Sequence, residues 1–177
     1  ADHGKITASK LFERVGTIVE REEQVQDAQL GRNNVDVIVG TAAFEGPHEL
    51  VITSSNGQRR ATAKNVMIAV GTTPATPSET KLDGKHILTS DEIFALEELP
   101  HSMVIIGCGV IGIEYASMFA LMGVSVTVVD GRERPLEFLD REIMDELVHQ
   151  MRDSRVVFRL GEKVEGVEVR ETSRGRV

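Results

Sequence analysis

Three glycines, one acid and two arginines carry most of the chemistry that this chain offers. Gly107, Gly109 and Gly112 stand in GxGxxG spacing within MVIIGCGVIGIEYASMFALMGVSVTVVD, residues 103–130. A pyrophosphate needs a turn of this composition. The first glycine allows a tight turn off a strand, the second lets backbone approach the phosphates, and the third lets a helix pack closely on the sheet. The free N–H groups at the start of that helix, around Val110 and Ile111, add the positive end of its dipole. Asp130 follows Gly112 by 18 residues (130 − 112). There a carboxylate can accept hydrogen bonds from an adenosine ribose diol. The spacing alone is weak evidence. Strand, turn, helix, strand and terminal acid in register together read as a nicotinamide-dinucleotide site.

Arg132 and Arg134 come directly after the acid. A carboxylate disfavours the 2′-phosphate of NADP, whereas two arginines can hold it, so the neighbourhood is mixed. The plainer reading, two exposed arginines in an acidic loop, stands equally. Cys108 lies between two glycines with no second thiol in the chain, and reads as a small packing residue. Glu114, taken alone, is an acid near a helix N-terminus, where the dipole stabilises it.

The elements that must position these residues follow from periodicity. Residues 7–30 read as a helix, with Leu11, Val15, Ile18 and Val25 on one stripe that also holds Glu22 and Gln29. Asn33-Asn34 end it. Val35 to Val39 reads as a short strand closing on Gly40. Glu49–Thr53 and Arg59–Ala63 flank SSNGQ, a hairpin signal centred on Asn56-Gly57. Asn65–Val70 is wholly apolar after its first residue and predicts a strand buried in a sheet. Ser90-Asp91 can cap a short helix EIFALEEL that ends before Pro100. Beyond Asp130, a polar loop leads to a helix capped by Asp140. Its expected core face is Ile143, Leu147 and Met151, with Met144 and Val148 beside it. Arg155–Leu160 reads as a third strand, and Lys163–Val177 as a weak antiparallel excursion.

Composition limits the rest. With 41% hydrophobic and 27% charged residues the chain is an ordinary globular one. A net charge of −8 argues against a nucleic-acid or membrane-surface role, since both prefer basic faces. No apolar run approaches the ~20 residues that span a bilayer. The N-terminal residues carry no apolar signal region. One cysteine excludes an intrachain disulfide, and the five histidines never pair at ligand spacing, so no metal site is expected. Together these features fit a cytoplasmic protein.

The order GTAAF, hairpin, NVMIAVGTTPATP, SDEIFALEELP and VIIGCGVIGIEYASMFALMGVSVTVVD resembles the flavin-dependent pyridine nucleotide–disulfide oxidoreductases over essentially the whole chain. Within that family IGIEYASMF and PLEFLDREIMDEL look most like the transhydrogenase branch. A dihydrolipoamide dehydrogenase-like dithiol enzyme is the alternative, and a binding-only dinucleotide module is another. The resemblance implies an α/β fold. Residues 1–77 would be the later part of an FAD-binding domain with a small antiparallel sheet, 78–99 a connector, and 100–177 the early part of a Rossmann-like NAD(P)-binding domain. Both modules read as cut, so an internal piece of a longer enzyme is expected, inactive by itself. The family's dimerisation domain, through which a homo-oligomer would form, has no counterpart here.

Carried over by residue, the resemblance places Val70, Gly71 and Thr72 against FAD, with valine where threonine is commoner before the glycine. Ala42 matches a main-chain contact to the FAD adenine. Gly107 to Gly112, Cys108 included, match the pyrophosphate turn of NAD or NADP, and Asp130 the ribose acid. Glu114 matches a glutamate near the nicotinamide–flavin junction, a positioning group and not a proton carrier. Val164 matches a main-chain contact to the NAD adenine. The implied reaction is hydride exchange between NAD(H) and NADP(H) by way of FAD.

Overall fold

A computed structural model describes residues 7–75, 80–172 and 175–176. The chain divides into two compact units, one of residues 14–73 and one of residues 1–13 with 74–177. The expected boundary at 77/78 lies outside the described residues.

In the first unit a long helix, α1 (Ala8–Arg32, begun in the other unit), precedes an antiparallel sheet of β1 (Thr41–Gly46), β2 (Glu49–Ser54) and β3 (Gly57–Thr62), ordered β1-β2-β3. The helix ends as expected at the paired asparagines. Asn33 Nδ2 donates to the Gln29 carbonyl at 2.8 Å, and Asn34 takes φ 55°, a left-handed value that asparagine tolerates. Its apolar stripe is half-buried at Leu11 and Val15 and exposed beyond them, at Ile18 and Val25.

Three expectations are corrected in this unit. Val35–Val39 forms no strand; the ladder to β2 starts at Thr41. Asn65–Val70 is also unpaired, and Val70 is 88% exposed. An apolar run becomes a buried strand only when neighbours supply its ladder and cover its faces, and among the described residues none does. The hairpin loop is Ser55-Asn56, one residue earlier than expected, because Ser54 pairs with Gly57. The positive φ, 110°, falls on Gly57 at the head of β3.

The second unit holds the parallel sheet β4 (Ser102–Ile106), β5 (Ser125–Asp130) and β6 (Val157–Leu160), in that order. Helices α2 (Val110–Leu121) and α3 (Arg141–Asp153) form its crossovers. The core lies on one face of this sheet. Val126 and Val128 of β5 pack with Ile113, Ala116 and Phe119 of α2 and with Met144, Val148 and Met151 of α3. Alternation along β4 follows, with Met103 and Ile105 toward the core and Val104 and Ile106 exposed. Asp140 caps α3 as expected, accepting from the Glu142 N–H at 2.9 Å.

On α3 Met151 is buried and Leu147 packs against the core, as expected, but Ile143 is 66% exposed while Met144 and Val148 are buried. Two adjacent stripes on this helix are apolar, and the sheet selects between them. SDEIFALEEL gives only a 3₁₀ turn over Glu92–Ala95. Asp91 makes no side-chain cap there; instead Glu92 reaches back and accepts from the Thr89 N–H at 2.8 Å. After β6 the ladder is limited to β7 (Glu171–Thr172) against β8 (Gly175–Arg176), so Lys163–Arg170 adds no strand. The α/β class, with one parallel and one antiparallel three-stranded sheet, is as expected.

Candidate functional site

The turn between β4 and α2 is built around its three glycines, each for a different reason. Gly107 takes φ 114°, where a Cβ would be strained, and its N–H donates to the Val129 carbonyl at 2.9 Å. Gly109 heads α2 at φ −74° and ψ −175°, an unstrained conformation, and a Cβ built there meets nothing within 4 Å. Gly112 has no such space, because a Cβ there would run into the Gly107 carbonyl oxygen and lie 3.4 Å from Ile105 Cγ2.

No side chain caps α2. Its first turn-closing bond is Ile113 N–H to the Gly109 carbonyl at 3.0 Å, so the N–H groups of Val110, Ile111 and Gly112 precede the helical ladder. Val110 and Ile111 are exposed. Main-chain donors at the positive end of a helix, beside a residue without a side chain, are suited to bind a phosphate anion.

Asp130, at the end of β5, is tied to this turn. Its Oδ2 accepts from the Cys108 N–H at 2.7 Å. Arg132 closes on the same carboxylate, with its N–H to Oδ1 at 2.8 Å, Nε to Oδ1 at 3.0 Å and Nη2 to Oδ2 at 2.6 Å. The Arg132 side chain above all holds the Asp130 carboxyl well below the usual carboxylate range; burial opposes it, and the main-chain N–H groups of Arg132 and Cys108 add to the lowering. Asp130 is therefore ionised at neutral pH.

Cys108 is fully buried, and burial, with the Asp130 charge, pushes its thiol up to about 11. It is a packing residue. Its Sγ faces the Arg134 carbonyl at 3.6 Å, and the Leu136 N–H donates to its own carbonyl at 3.3 Å. Of the two arginines, only Arg132 is brought to Asp130; Arg134 contributes its carbonyl and leaves its side chain exposed. Leu136, buried at φ 45°, was not singled out from the sequence, although Pro135-Leu136 is one of two apolar pairs in the loop, with Phe138-Leu139. It folds the loop back over the turn.

The other candidates are placed as follows. Glu114 is exposed on α2, on the helix that the turn opens. Its neighbour Tyr115 donates to the Ser90 carbonyl at 3.3 Å and fastens α2 to the segment before β4. Val164 is exposed, two residues after Glu162, whose N–H donates to the Asp130 carbonyl at 3.1 Å. In the antiparallel unit, Ala42 lies on β1 opposite Ile52. Val70 and Thr72 are exposed on either side of Gly71, which takes φ 71°. Gly40, before β1, has no room for a side chain, since a Cβ would lie 2.7 Å from both Ile52 Cγ2 and the Thr53 carbonyl oxygen. Among the described residues no cluster of His, Cys, Asp or Glu could hold a metal ion, and no helix is long and apolar enough to cross a membrane.

Residues 3–176 match the family model described as pyridine nucleotide-disulphide oxidoreductase. The soluble pyridine nucleotide transhydrogenase of Mycobacterium tuberculosis is 43% identical over 167 residues, which cover 93% of this chain and 36% of that protein. The protein of the same name from Colwellia psychrerythraea is 35% identical over 165 residues, with 93% and 35% covered. Among solved structures, LpdA from Mycobacterium tuberculosis superposes with a TM-score of 0.85 at 26% identity, covering 99% of this chain and 39% of that one. The HOCl-induced flavoprotein disulfide reductase RclA of Escherichia coli gives 0.79 at 27% identity, covering 94% and 40%. The chain thus spans little more than a third of the length of these relatives.

Proposed function

Since this chain belongs to the pyridine nucleotide-disulphide oxidoreductase family, we propose that it supplies the nicotinamide-dinucleotide turn and part of the flavin site of a cytoplasmic enzyme exchanging hydride between NAD(H) and NADP(H). The observation that carries this reading is the joining of an uncapped helix N-terminus at Gly109 to an ionised Asp130 with Arg132 beside it. That site offers donors for a pyrophosphate, an acceptor for ribose hydroxyls and a guanidinium for a 2′-phosphate. Identity to proteins named transhydrogenases supports the choice of reaction.

Bound FAD would accept and return the hydride, and the protein's share is position and electrostatics. Gly107, Cys108 and Gly109 shape the turn, and the N–H groups of Val110, Ile111 and Gly112 bind the pyrophosphate. Asp130 accepts from the ribose of NAD. Arg132 and Arg134 serve the 2′-phosphate of NADP. Val164 offers main chain to the adenine, and Glu114 positions the nicotinamide end. Ala42, Val70, Gly71 and Thr72 serve FAD; the positive φ of Gly71, which leaves a bare backbone turn, supports that reading. In domain terms, 1–77 belongs with the flavin, 100–177 with the nicotinamide dinucleotide, and 78–99 connects them.

A disulfide-reducing relative such as RclA raises a second reading. Within this chain the only thiol is the buried Cys108, so no dithiol chemistry arises from these residues. One assay separates the two: the flavin-loaded enzyme is given NADPH and an NAD analogue whose reduced form absorbs distinctly. Appearance of the reduced analogue supports exchange. Turnover only when a disulfide is added overturns it in favour of the reductase.

A further inference from the structure

The Asp130 carboxylate is saturated by the chain itself. An ionised carboxylate has about four lone-pair positions. Here they meet the main-chain N–H of Cys108 at 2.7 Å, that of Arg132 at 2.8 Å, and the Arg132 Nε and Nη2 at 3.0 and 2.6 Å. The first two donors belong to the backbone of the turn and the loop. The other two belong to a side chain that is 44% exposed, whereas that of Asp130 is only 11% exposed. One pair of donors is fixed, and one pair can leave.

We propose that the Asp130–Arg132 pair is an exchangeable latch over the ribose position, through which Arg132 weighs NAD against NADP by changing partners. The proposal rests on the dinucleotide reading of this site. A ribose diol brings two O–H donors. It reaches Asp130 only when the guanidinium withdraws its own two, an exchange of two donors for two that leaves the main-chain bonds in place. The incoming bonds come from neutral hydroxyls and the outgoing ones from a cation, so the latch opposes NAD. The opposition is modest, because an ion pair exposed on one side is weak.

With NADP the balance reverses. A 2′-phosphate cannot donate to Asp130 and would be repelled by it. It does accept from a guanidinium, so it draws Arg132 off the acid while Asp130 keeps the Cys108 and Arg132 N–H groups. A single arginine thus acts against one nucleotide and for the other, which places an acid and a guanidinium in one site without their cancelling. Arg132 is a specificity-determining residue here, and Asp130 is its alternative partner.

The test is calorimetric binding of NAD+ and of NADP+ to the protein and to its Arg132→Gln and Arg132→Lys variants. Arg132→Gln is expected to tighten NAD+ by about threefold, the scale of a partly exposed ion pair. It is expected to weaken NADP+ by about tenfold or more, the scale of lost charge-assisted bonds. Arg132→Lys keeps the charge and is expected to retain most NADP+ affinity. Opposite movement of the two affinities is the signature, since damage to the turn would lower both together. NAD+ affinity that is unchanged or weaker in Arg132→Gln overturns the latch. Failure of the unaltered protein to bind either nucleotide removes the dinucleotide reading, and the latch with it. That outcome is distinct from an unmoved ratio in a protein that binds both.

Discussion

The Cys108 N–H donates to the Asp130 carboxylate at 2.7 Å across 22 residues of sequence. The glycine turn after β4 and the acid that ends β5 are therefore one construction. Asp130 is tied to the turn, and the turn's amide adds to what the Arg132 side chain chiefly does in holding the carboxylate ionised. Its side chain, 11% exposed, is shielded enough for this bond to matter.

Removal of the charge at Asp130 should act on the ribose site first. Asp130→Asn keeps the shape of the side chain, and is expected to shift the NAD-to-NADP affinity ratio toward NADP by ~1–2 kcal/mol, the scale of a charge-assisted hydrogen bond. Calorimetry with both nucleotides measures this. An unmoved ratio would take Asp130 out of nucleotide recognition.

The same residue predicts an acid limb of stability. Its folded carboxyl lies below its unfolded one, chiefly through the Arg132 side chain. The stabilisation is then fully present above the unfolded value of about 4, and is lost as pH falls through the lower folded value. Melting temperature should decline below that pH, and Asp130→Asn should show a shallower decline. Parallel curves for the two proteins would contradict the assignment.

Cys108 should be chemically silent. With a thiol pushed up to about 11 and no exposed surface, only about one molecule in a thousand carries a thiolate at pH 8. Alkylation by iodoacetamide is expected to require unfolding. Rapid modification of the native protein, followed by mass, would show that the turn opens.

Two glycines should fail in different ways. Gly112→Ala places a methyl against the Gly107 carbonyl and Ile105, and is expected to cost about 1–3 kcal/mol in urea unfolding, as overpacking does. Gly109→Ala meets no atom and no strained φ, so stability should stay within about 1 kcal/mol while dinucleotide affinity falls. If both variants lose stability equally, Gly109 serves packing and not a ligand.

Asp140 offers a control remote from ligands. Its carboxylate caps α3 through the Glu142 N–H, and Asp140→Ala should cost about 1 kcal/mol with no change in nucleotide affinity. A change in affinity would mean that α3 is coupled to the turn.

Local physics made much of this molecule readable from its residues. Glycine spacing, the apolar runs of β4 and β5 and the capping aspartate of α3 each depend on neighbours within a few positions, so the βαβ unit and its turn were legible. The paired asparagines that stop α1 belong to the same class, for Asn34 needs only its own tolerance of φ 55°. Asn65–Val70 and Val35–Val39 were not legible, because strand formation there requires a partner from elsewhere, and composition cannot state whether one is present. The expectation of Ile143 over Met144 on α3 failed for a related reason, since both are apolar and only the sheet's position decides between them.

The residues alone determined that a nucleotide turn exists and which acid follows it, since both are written in spacing and side-chain type. Only the tertiary structure decided what Asp130 touches. Parallel pairing of β4 with β5 brings residue 130 beside residue 108, and Arg132, two positions beyond the acid, closes on the same carboxylate. Whereas Arg132 is only two residues from its acid, hydrogen bonds such as that from Cys108 join points distant along the chain. Their partners are fixed by how strands align in space, which no local periodicity encodes.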